Sequence, residues 1–226
     1  MRRLTAALAT ASILLLAATV AGKGSPWEKV AQTDDGIAVY MREVPETTVK
    51  EVKVRLRIPV PPRIVLDAAC DPKSFKKSLK YVEKNRYYWV GDPDVWYTYQ
   101  LVSYPVVDER DYVMRYERTL DPDKGVYRLT WNTTTDKGPP PSEDAIRVTL
   151  ATGGIEVLPR DEGKASLLKF RLLADPGGNI PGWVINIANR WNLPDIIREI
   201  RDAAHKRHKQ CQQGNCRHWD ALGHDY

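Results

Sequence analysis

The sequence predicts an α+β fold in which a series of antiparallel strands is followed by one long helix near the C-terminus. Short segments of alternating apolar and polar residues recur through most of the chain, as expected of half-buried strands. The last of them, Ala165–Ala174, leads into a tight turn at Asp175–Gly178. Pro181 then stands where a helix tolerates a missing backbone N–H, and a broad apolar face continues to about Lys209.

The first third of the chain supplies two strands and a helix. Gly36–Met41 and Thr48–Ile58 alternate apolar with mostly charged residues, which predicts half-buried antiparallel strands. Prolines at 59, 61 and 62 end the second strand. Pro62–Ala69 then carries apolar residues at helical spacing, which predicts an amphipathic helix.

The strands predicted after this helix are Tyr87–Val90, Trp96–Ser103, Tyr112–Leu120, Val126–Asn132, Ile146–Pro159 and Ala165–Ala174. The intervening segment Thr133–Asp144 is too rich in proline and charge for regular structure, and loops of this length in compact domains are usually functional. We expect Pro194 to kink the terminal helix and the residues after Lys209 to be disordered.

The N-terminus has the features of a secretory signal peptide, because Arg2 and Arg3 precede an apolar run that ends in small residues. We expect cleavage after Ala21 and an exported protein, periplasmic or secreted; a retained membrane anchor is the alternative. Removing residues 1–21 changes the formal net charge from +5 to 5 − 2 = +3, too small a surplus to argue for nucleic-acid binding. A chain of 226 residues that is 42% hydrophobic and 28% charged suits one soluble globular domain.

Three cysteines and four histidines bear on redox and metal chemistry. In an exported protein, Cys211 and Cys216 are expected to form a disulfide, whereas Cys70 lies in an apolar stretch and is interpreted as a buried free thiol. The histidines at 205, 208 and 218 add metal-ligand chemistry to the tail, but their spacing matches no established zinc module. Metal binding by the tail is an alternative to the disulfide; we predict no metal site and no cofactor.

Catalytic signatures are missing from the sequence. All four histidines, of which the last is His224, lie at or beyond the end of the terminal helix, so a Ser-His-Asp or Cys-His hydrolase lacks its base. The sequence has no glycine-rich phosphate loop, nucleophile elbow or HExxH motif. We interpret the acids Asp108, Glu109 and Asp111, which flank Arg110, as a solvated turn with one structural ion pair. The prediction is that the chain is not an enzyme.

Three motifs in colinear order carry a family resemblance. They are Pro105–Val113 (PVVDERDYV), Gly154–Pro159 (GIEVLP) and Asp175–Trp191 (DPGGNIPGWVINIANRW). Through them, residues 26–208 resemble the START family of lipid and sterol carriers. Residues 1–21 then form the signal peptide, and residues 209–226 form a polar tail with cysteines and histidines.

The resemblance implies a helix-grip fold, in which a curved antiparallel sheet of about nine strands wraps around the long C-terminal helix and encloses one lipid-sized cavity. It further implies a short covering helix at Trp27–Ala31. A gate over the cavity would be formed by Thr133–Asp144 together with Trp183–Trp191. Arg110 and Asp111 are expected to be markers of the fold without a chemical role.

The candidate lipid-binding residues are large apolar and aromatic side chains at alternating strand positions and on the terminal helix. The predicted wall and floor are Tyr97, Tyr99, Met114, Tyr116, Leu150, Phe170, Leu172, Trp183, Ile187 and Trp191. Tyrosine hydroxyls in such a wall would meet the polar end of a ligand. An ordinary sheet core packed against the helix is the alternative interpretation.

Sterol-carrying members of the family place a buried acid and arginine on two neighbouring strands. Alignment on the Arg110-Asp111 motif puts Tyr116 at the arginine position and Tyr97 or Thr98 near the acid, so this pair is missing. This departure weakens the case for a sterol and leaves fatty acyl, phospholipid and isoprenoid ligands equally open. We predict a monomeric, non-catalytic lipid carrier with transient membrane contact and no nucleic-acid partner; a cyclase or hydrolase on the same fold and a ligand-free interaction module are the alternatives.

Overall fold

The computed structural model describes residues 24–75, 81–103, 107–216 and 218–219. Within the last helix, the side chains of residues 183–184 and 186–191 lie outside this description. The predicted signal peptide, residues 1–21, also falls outside the described residues. No helix in the described ranges is long and apolar enough to cross a membrane.

The strands of the described chain are β1 (Glu28–Gln32), β2 (Ala38–Arg42), β3 (Glu51–Ile58), β4 (Val82–Trp89), β5 (Val95–Val102), β6 (Glu109–Asp121), β7 (Val126–Thr133), β8 (Ala145–Arg147), β9 (Leu150–Arg160) and β10 (Ala165–Asp175). The α-helices are α1 (Pro62–Cys70) and α2 (Gly182–Gln212). Short 3-10 helices stand at Pro72–Phe75 and Asp161–Gly163.

All described strands belong to one sheet with the order β1-β2-β3-β10-β9-β7-β6-β5-β4, and every neighbouring pair along this path is antiparallel. Strand β8 lies off the path and pairs in parallel with β6. The helices α1 and α2 pack on one face, here called the inner face, where alternate residues of β3 such as Val52 and Val54 are fully buried. The predicted α+β architecture is confirmed.

Two predicted elements were wrong in detail. Trp27–Ala31 is not a helix, because Glu28–Gln32 forms the edge strand β1, whose backbone pairs with β2. The strand predicted over Ile146–Pro159 is interrupted after Arg147 and forms two strands, β8 and β9. At the break, the Val148 N–H donates a hydrogen bond to the Asp111 carbonyl at 3.0 Å. In both cases tertiary pairing overrides the local pattern.

The loop between β7 and β8 does not cover the inner face. The Thr134 N–H donates to the Val113 carbonyl at 3.0 Å, and a Cβ built on Gly138 would lie 3.0 Å from the Val113 side chain. Val113 projects to the outer face, since its strand neighbours Tyr112 and Met114 line an interior cavity. The predicted gate loop over the cavity is therefore wrong: contacts with Val113 hold the loop on the opposite side of the sheet.

The acidic segment before β6 is not a solvated turn. Asp111 is fully buried, and its carboxylate accepts two hydrogen bonds from the Arg147 guanidinium at 2.8 and 2.9 Å. Arg110 is also buried and donates to the Asp108 carbonyl. The interpretation as a solvated turn was wrong because β8 brings Arg147 over the start of β6; the structural ion pair that was expected is present, with Arg147 as the partner.

The described residues after α2 include one half of a disulfide and a buried tryptophan. Cys211 and Cys216 are joined, with an S–S distance of 2.07 Å, and Cys70 is a buried free cysteine, as predicted. Trp219 is only 2% exposed and belongs to the main hydrophobic core, so the expectation of a disordered tail after Lys209 was wrong at this residue. Its carbonyl accepts a hydrogen bond from the Arg118 guanidinium at 2.7 Å.

A histidine of the tail also reaches the core surface. The half-exposed His218 ring lies 2.6 Å from the carboxylate of Asp67, which is fully buried in α1 and also accepts a hydrogen bond from Arg63 at 3.1 Å. Together with Trp219, this contact holds the C-terminal residues against α1 and the sheet. The expectation that every histidine lies apart from the folded core was therefore wrong for His218.

A second polar anchor joins α2 to the turn between β1 and β2. Asp35 accepts hydrogen bonds from Arg198 at 3.0 and 3.1 Å and from Arg201 at 2.7 Å. The pKa of the Asp35 carboxyl is held well below its usual range, mainly by the hydrogen bond from Arg198. The helix continues through Pro194 to Gln212, and the kink at Pro194 stays a prediction.

We predict that Trp219→Ala lowers the free energy of unfolding by about 3–5 kcal/mol, because it removes a buried aromatic side chain from the core. Trp27→Ala is the matched control, since Trp27 lies on the outer face among cationic side chains and should cost about 1 kcal/mol or less. Urea unfolding of both variants measures the difference. Equal losses for the two variants would show that the tail is not part of the core.

We predict that Asp35→Asn lowers stability by about 1 kcal/mol at neutral pH, since the carboxylate is only partly shielded from water. The folded-state pKa lies below the ordinary value of 3.8, so this contribution is present above about pH 5 and is lost as the pH falls below 4. Denaturant unfolding at several pH values should show wild type and variant converging in acid. A difference at pH 2 as large as that at pH 7, or an equal effect of Asp34→Asn, would contradict the assignment.

Candidate functional site

Two cavities lie on the inner face of the sheet, and α1 and α2 contribute to the wall of the first. Chamber A has a volume of about 260 Å³ and is lined by Ala69, Cys70, Pro72, Phe75, Tyr87, Trp96, Thr98, Gln100, Tyr116, Leu129, Trp131, Ile155, Phe170, Ile196 and Ile200. Chamber B, also of about 260 Å³, is lined by Tyr81, Val82, Gln100, Val102, Tyr112, Met114, Tyr116, Trp131, Ala151, Leu172 and Ala174. None of these lining residues is charged.

The two chambers meet at Gln100, Tyr116 and Trp131, which line both. Each chamber alone is slightly smaller than the roughly 300–1,000 Å³ of ordinary ligand pockets, whereas the two together fall in that range. The described walls therefore form two uncharged chambers that share these three side chains.

A chain of ring contacts crosses this space from the tail to β10. The ring centroids are 4.8 Å apart for Trp219 and Trp96, 5.4 Å for Trp96 and Tyr116, 6.3 Å for Tyr116 and Trp131, and 5.5 Å for Trp131 and Phe170. We call these five residues the aromatic belt. Rings at these separations attract one another and lose few side-chain degrees of freedom, so the belt gives the cavity a stiff wall.

Gly153 in β9 makes the belt possible. It pairs with Trp131 of β7 on one side and with Leu172 of β10 on the other. A Cβ at this position would lie 2.8 Å from the Trp131 ring and 2.4 Å from the Arg171 carbonyl oxygen, closer than real side chains approach. The missing side chain lets the Trp131 ring lie across β9 and reach Phe170.

Polar atoms interrupt the apolar wall at one place. Thr98 is 2% exposed, and its hydroxyl lies next to the Tyr116 phenol. The buried Oδ1 of Asn85, on the neighbouring strand β4, has no hydrogen-bond partner within the described chain. Burial raises the pKa of Tyr116, and the nearby Thr98 hydroxyl offsets part of that rise, so the phenol stays protonated at neutral pH.

Cys70 is the second side chain of chamber A whose pKa is shifted. Burial raises the pKa of the Cys70 thiol far above its usual range. A thiol in this state is a poor nucleophile, because the thiolate is the reactive form. Neither the phenol nor the thiol is therefore equipped for acid–base or nucleophilic work.

Four predicted lipid-binding residues line the chambers. Phe170 lies in chamber A, Met114 and Leu172 lie in chamber B, and Tyr116 lies in both. The side chains of Trp183, Ile187 and Trp191 lie outside the described residues, although their backbone belongs to α2. The predicted helix face at the floor therefore stays a prediction.

Three predicted wall residues, Tyr97, Tyr99 and Leu150, lie on the outer face. Tyr97 pairs with Arg115 and Tyr99 with Val113, whereas their neighbours Trp96, Thr98 and Gln100 line chamber A. Burial and the neighbouring Asp111 carboxylate raise the pKa of Tyr99. Leu150 is likewise next to the inward Ala151. Placing them in the wall was wrong because strand neighbours alternate between faces, and the sequence marks both faces of β5 with aromatic rings.

Sequence reasoning missed Trp96, Gln100, Trp131 and Trp219, and it gave Thr98 no place in the predicted wall. The missed strand residues could have been found from β6. Tyr112, Met114 and Tyr116 share one face of β6, and the residues of β5 that pair with them lie on the same face of the sheet. Trp219 carried no such signal, since it follows a polar tail with no periodic pattern.

Comparison with known proteins agrees with this geometry. The START domain family model matches residues 7–211. The chain belongs to the START domain family. The phosphatidylcholine transfer proteins of Rattus norvegicus and Mus musculus are 28% and 27% identical to it over 192 residues, which cover 83% of this chain and 87% of each relative.

Solved START structures share the fold. Human STARD10 superposes with a TM-score of 0.69 at 18% identity, covering 83% of this chain and 76% of that one. A STAR-related lipid transfer protein fragment from Xanthomonas axonopodis gives a TM-score of 0.66 at 21% identity, covering 79% of this chain and 98% of the fragment. The likeness at these identities establishes the fold.

We predict that Gly153→Ala destabilises the protein by about 1–3 kcal/mol, because the added methyl group forces Trp131 or β10 to move. Gly154→Ala is the matched control: its Cβ would point to the outer face, and its closest contact would be 3.0 Å. Thermal melts compare stability, and near-ultraviolet circular dichroism reports the aromatic belt. A change in the aromatic spectrum confined to Gly153→Ala is expected; the same change in both variants would contradict this role of Gly153.

Proposed function

We propose that this START domain binds one lipid in chambers A and B and transfers it between membranes without making or breaking bonds. The observation that carries the proposal is the uncharged lining of the two chambers on the inner face, which is rich in aromatic side chains. The similarity to phosphatidylcholine transfer proteins supports lipid transfer as the activity class. Membership of the START domain family supports it independently.

Apolar burial supplies enough free energy for such a carrier. Each buried methylene contributes about 0.8 kcal/mol, so a chain of a dozen carbons contributes roughly 10 kcal/mol before ordering costs are subtracted. This amount holds a lipid in water and still permits its release, because a membrane offers the chain equivalent apolar surroundings.

The described lining supports a non-catalytic role. Its titratable groups are the Cys70 thiol and tyrosine phenols, and burial raises the pKa of both Cys70 and Tyr116. No carboxylate, imidazole or amine among the described residues lines either chamber. A cyclase or hydrolase would need such a group next to its substrate.

The proposal extends to the compartment. The signal-peptide pattern of residues 1–21 and the disulfide between Cys211 and Cys216 both support an exported protein, because disulfides persist in oxidising compartments. Contact with membranes would be transient, as loading and release of a lipid require.

We predict that Ile196→Trp slows lipid transfer at least tenfold, because Ile196 is a half-buried residue of α2 that faces chamber A and a larger ring would fill it. The measurement follows pyrene-labelled fatty alcohol, fatty acid and phosphatidylcholine moving from donor to acceptor vesicles. Lys206→Trp, on the exposed side of the same helix, should transfer at the wild-type rate. Transfer of none of the three lipids above the protein-free rate would contradict the proposal, as would unimpaired transfer by Ile196→Trp.

A further inference from the structure

We infer that the outer face of the sheet carries a second binding site, distinct from chambers A and B, for a small dianion such as a soluble phosphate monoester. The site is a groove of about 510 Å³, a volume within the range of ordinary ligand pockets. We call it the outer groove. Its charged lining residues are Glu51, Lys53, Arg128, Glu156, Lys169 and Arg171.

The register of the sheet creates the recess. Gly154 of β9 pairs with Arg171 of β10 on one side and with Thr130 of β7 on the other, so the three residues form one rung of the outer face. Because Gly154 has no side chain, a gap separates the other two. Lys53 of β3 pairs with Arg171 and extends the same rung by one strand. The outer groove therefore has a glycine floor beside long cationic side chains.

The outer groove carries more positive than negative charge. Its lining has four cations and two carboxylates, which leaves a net charge of +2. Each carboxylate is already shared between two cations. The hydrogen-bond distances are 2.6 Å for Arg42 and Glu51, 2.8 Å for Arg171 and Glu51, 3.0 Å for Arg128 and Glu156, and 2.9 Å for Lys169 and Glu156. A ligand with two negative charges would neutralise the lining.

The two arginines of the outer groove have donors to spare. Arg128 binds Glu156 through Nε, and its terminal nitrogens make no hydrogen bond within the described chain. Arg171 binds Glu51 through Nε and Nη2, which leaves Nη1 for a ligand. These ion pairs hold both guanidinium groups in place before a ligand arrives. Planar guanidinium groups with free N–H donors bind phosphate oxygens well.

Lys53 is the cation whose charge is least compensated. Its ammonium group lies 4.1 Å from the ring centroid of Trp27 and 4.8 Å from that of Tyr40, and it forms no salt bridge within the described chain. Burial lowers the pKa of the Lys53 amine, and the neighbouring charges of Arg55 and Arg171 lower it further. An anion bound beside Lys53 would offset this repulsion.

The shape of the outer groove favours a soluble molecule over a membrane surface. The side chains of Arg171 and Arg128 are 53% and 42% exposed, so a ligand from solution can reach them. They border a recess with a glycine floor, which a small molecule can enter and a flat membrane surface cannot. A phosphate monoester suits the charge, because its second pKa of about 6 gives it nearly two negative charges at neutral pH.

The test titrates the full chain with three small ligands by isothermal calorimetry at pH 7.5 and low ionic strength. Glycerol 3-phosphate, dimethyl phosphate and glycerol carry about two, one and no negative charges. We expect glycerol 3-phosphate to bind with a dissociation constant at least tenfold lower than that of dimethyl phosphate, and glycerol not to bind. Added salt should weaken the binding, because half-exposed charges are screened.

Four variants locate the site. Lys53→Gln and Arg128→Gln each remove one positive charge from the outer groove and should raise the dissociation constant of glycerol 3-phosphate at least fivefold. Lys84→Gln, the matched control, removes the same charge from an exposed position on β4 and should bind like the wild type. Thr152→Trp keeps every charge and fills the groove from its exposed side, and should also weaken binding at least fivefold.

Vesicles that contain phosphatidic acid present the same phosphate monoester on a membrane and separate the two sources of this group. The inference is overturned if the vesicles bind and glycerol 3-phosphate does not, or if neither binds. It is also overturned if dimethyl phosphate binds as tightly as glycerol 3-phosphate, or if Lys53→Gln and Arg128→Gln bind like Lys84→Gln. Lipid transfer is measured separately, so any of these results leaves the proposed function standing.

Discussion

The rest of the structure depends on the fit between Trp131 and Gly153. Strand β9 lies between β7 and β10, and any side chain at Gly153 would collide with the Trp131 ring and with the backbone of β10. With glycine there, the ring crosses β9 and contacts Phe170, and the aromatic belt continues through Tyr116 and Trp96 to Trp219. A sheet that had to bury its inner face by simple close packing would fill this space with aliphatic side chains. The belt instead holds large rings against one another and leaves room beside them.

Charge is arranged around this space and is kept out of it. Asp111 and Arg147 pair at the start of β6, Asp67 binds Arg63 and His218 beside α1, and Asp35 joins α2 to the first hairpin. Apart from Arg63 and Asp67, which both belong to α1, these pairs connect different parts of the fold. Buried or half-buried ion pairs of this kind contribute more to the choice of one arrangement than to net stability, because desolvation offsets much of their attraction. The interior wall carries only neutral polar groups, which makes hydrogen bonding the available means of recognising a polar end.

Most of the fold could be predicted from the sequence because its signals are local. Alternation of apolar residues marks β3 and β10, and Pro62 and Pro181 mark the starts of α1 and α2. The START resemblance, which depends on short motifs around β6, β9 and α2, then gave the arrangement of these elements. The failures share a physical cause. β1, the loop on Val113 and the buried Trp219 are all determined by contacts with residues distant in sequence, and their local patterns are uninformative.

The candidate site was predictable for β6 and β10 but not for β5. Met114, Tyr116, Phe170 and Leu172 stand on strands whose opposite face is charged or mixed, so the inward side could be recognised. Both faces of β5 carry aromatic rings, so the sequence pattern did not distinguish Tyr97 and Tyr99 from Trp96 and Thr98 as inward-facing residues. Tyr97 and Leu101 on the outer face of β5 are buried, and no single-strand pattern reports that burial.

Native mass spectrometry of the full chain, purified from its natural host without detergent or organic solvent, tests the central claim most directly. The account predicts one lipid bound per chain, released on unfolding and identified by analysis of the extract. A chain found only at its unliganded mass, and still unliganded after incubation with vesicles of total host lipid, would contradict the claim that these chambers carry a lipid.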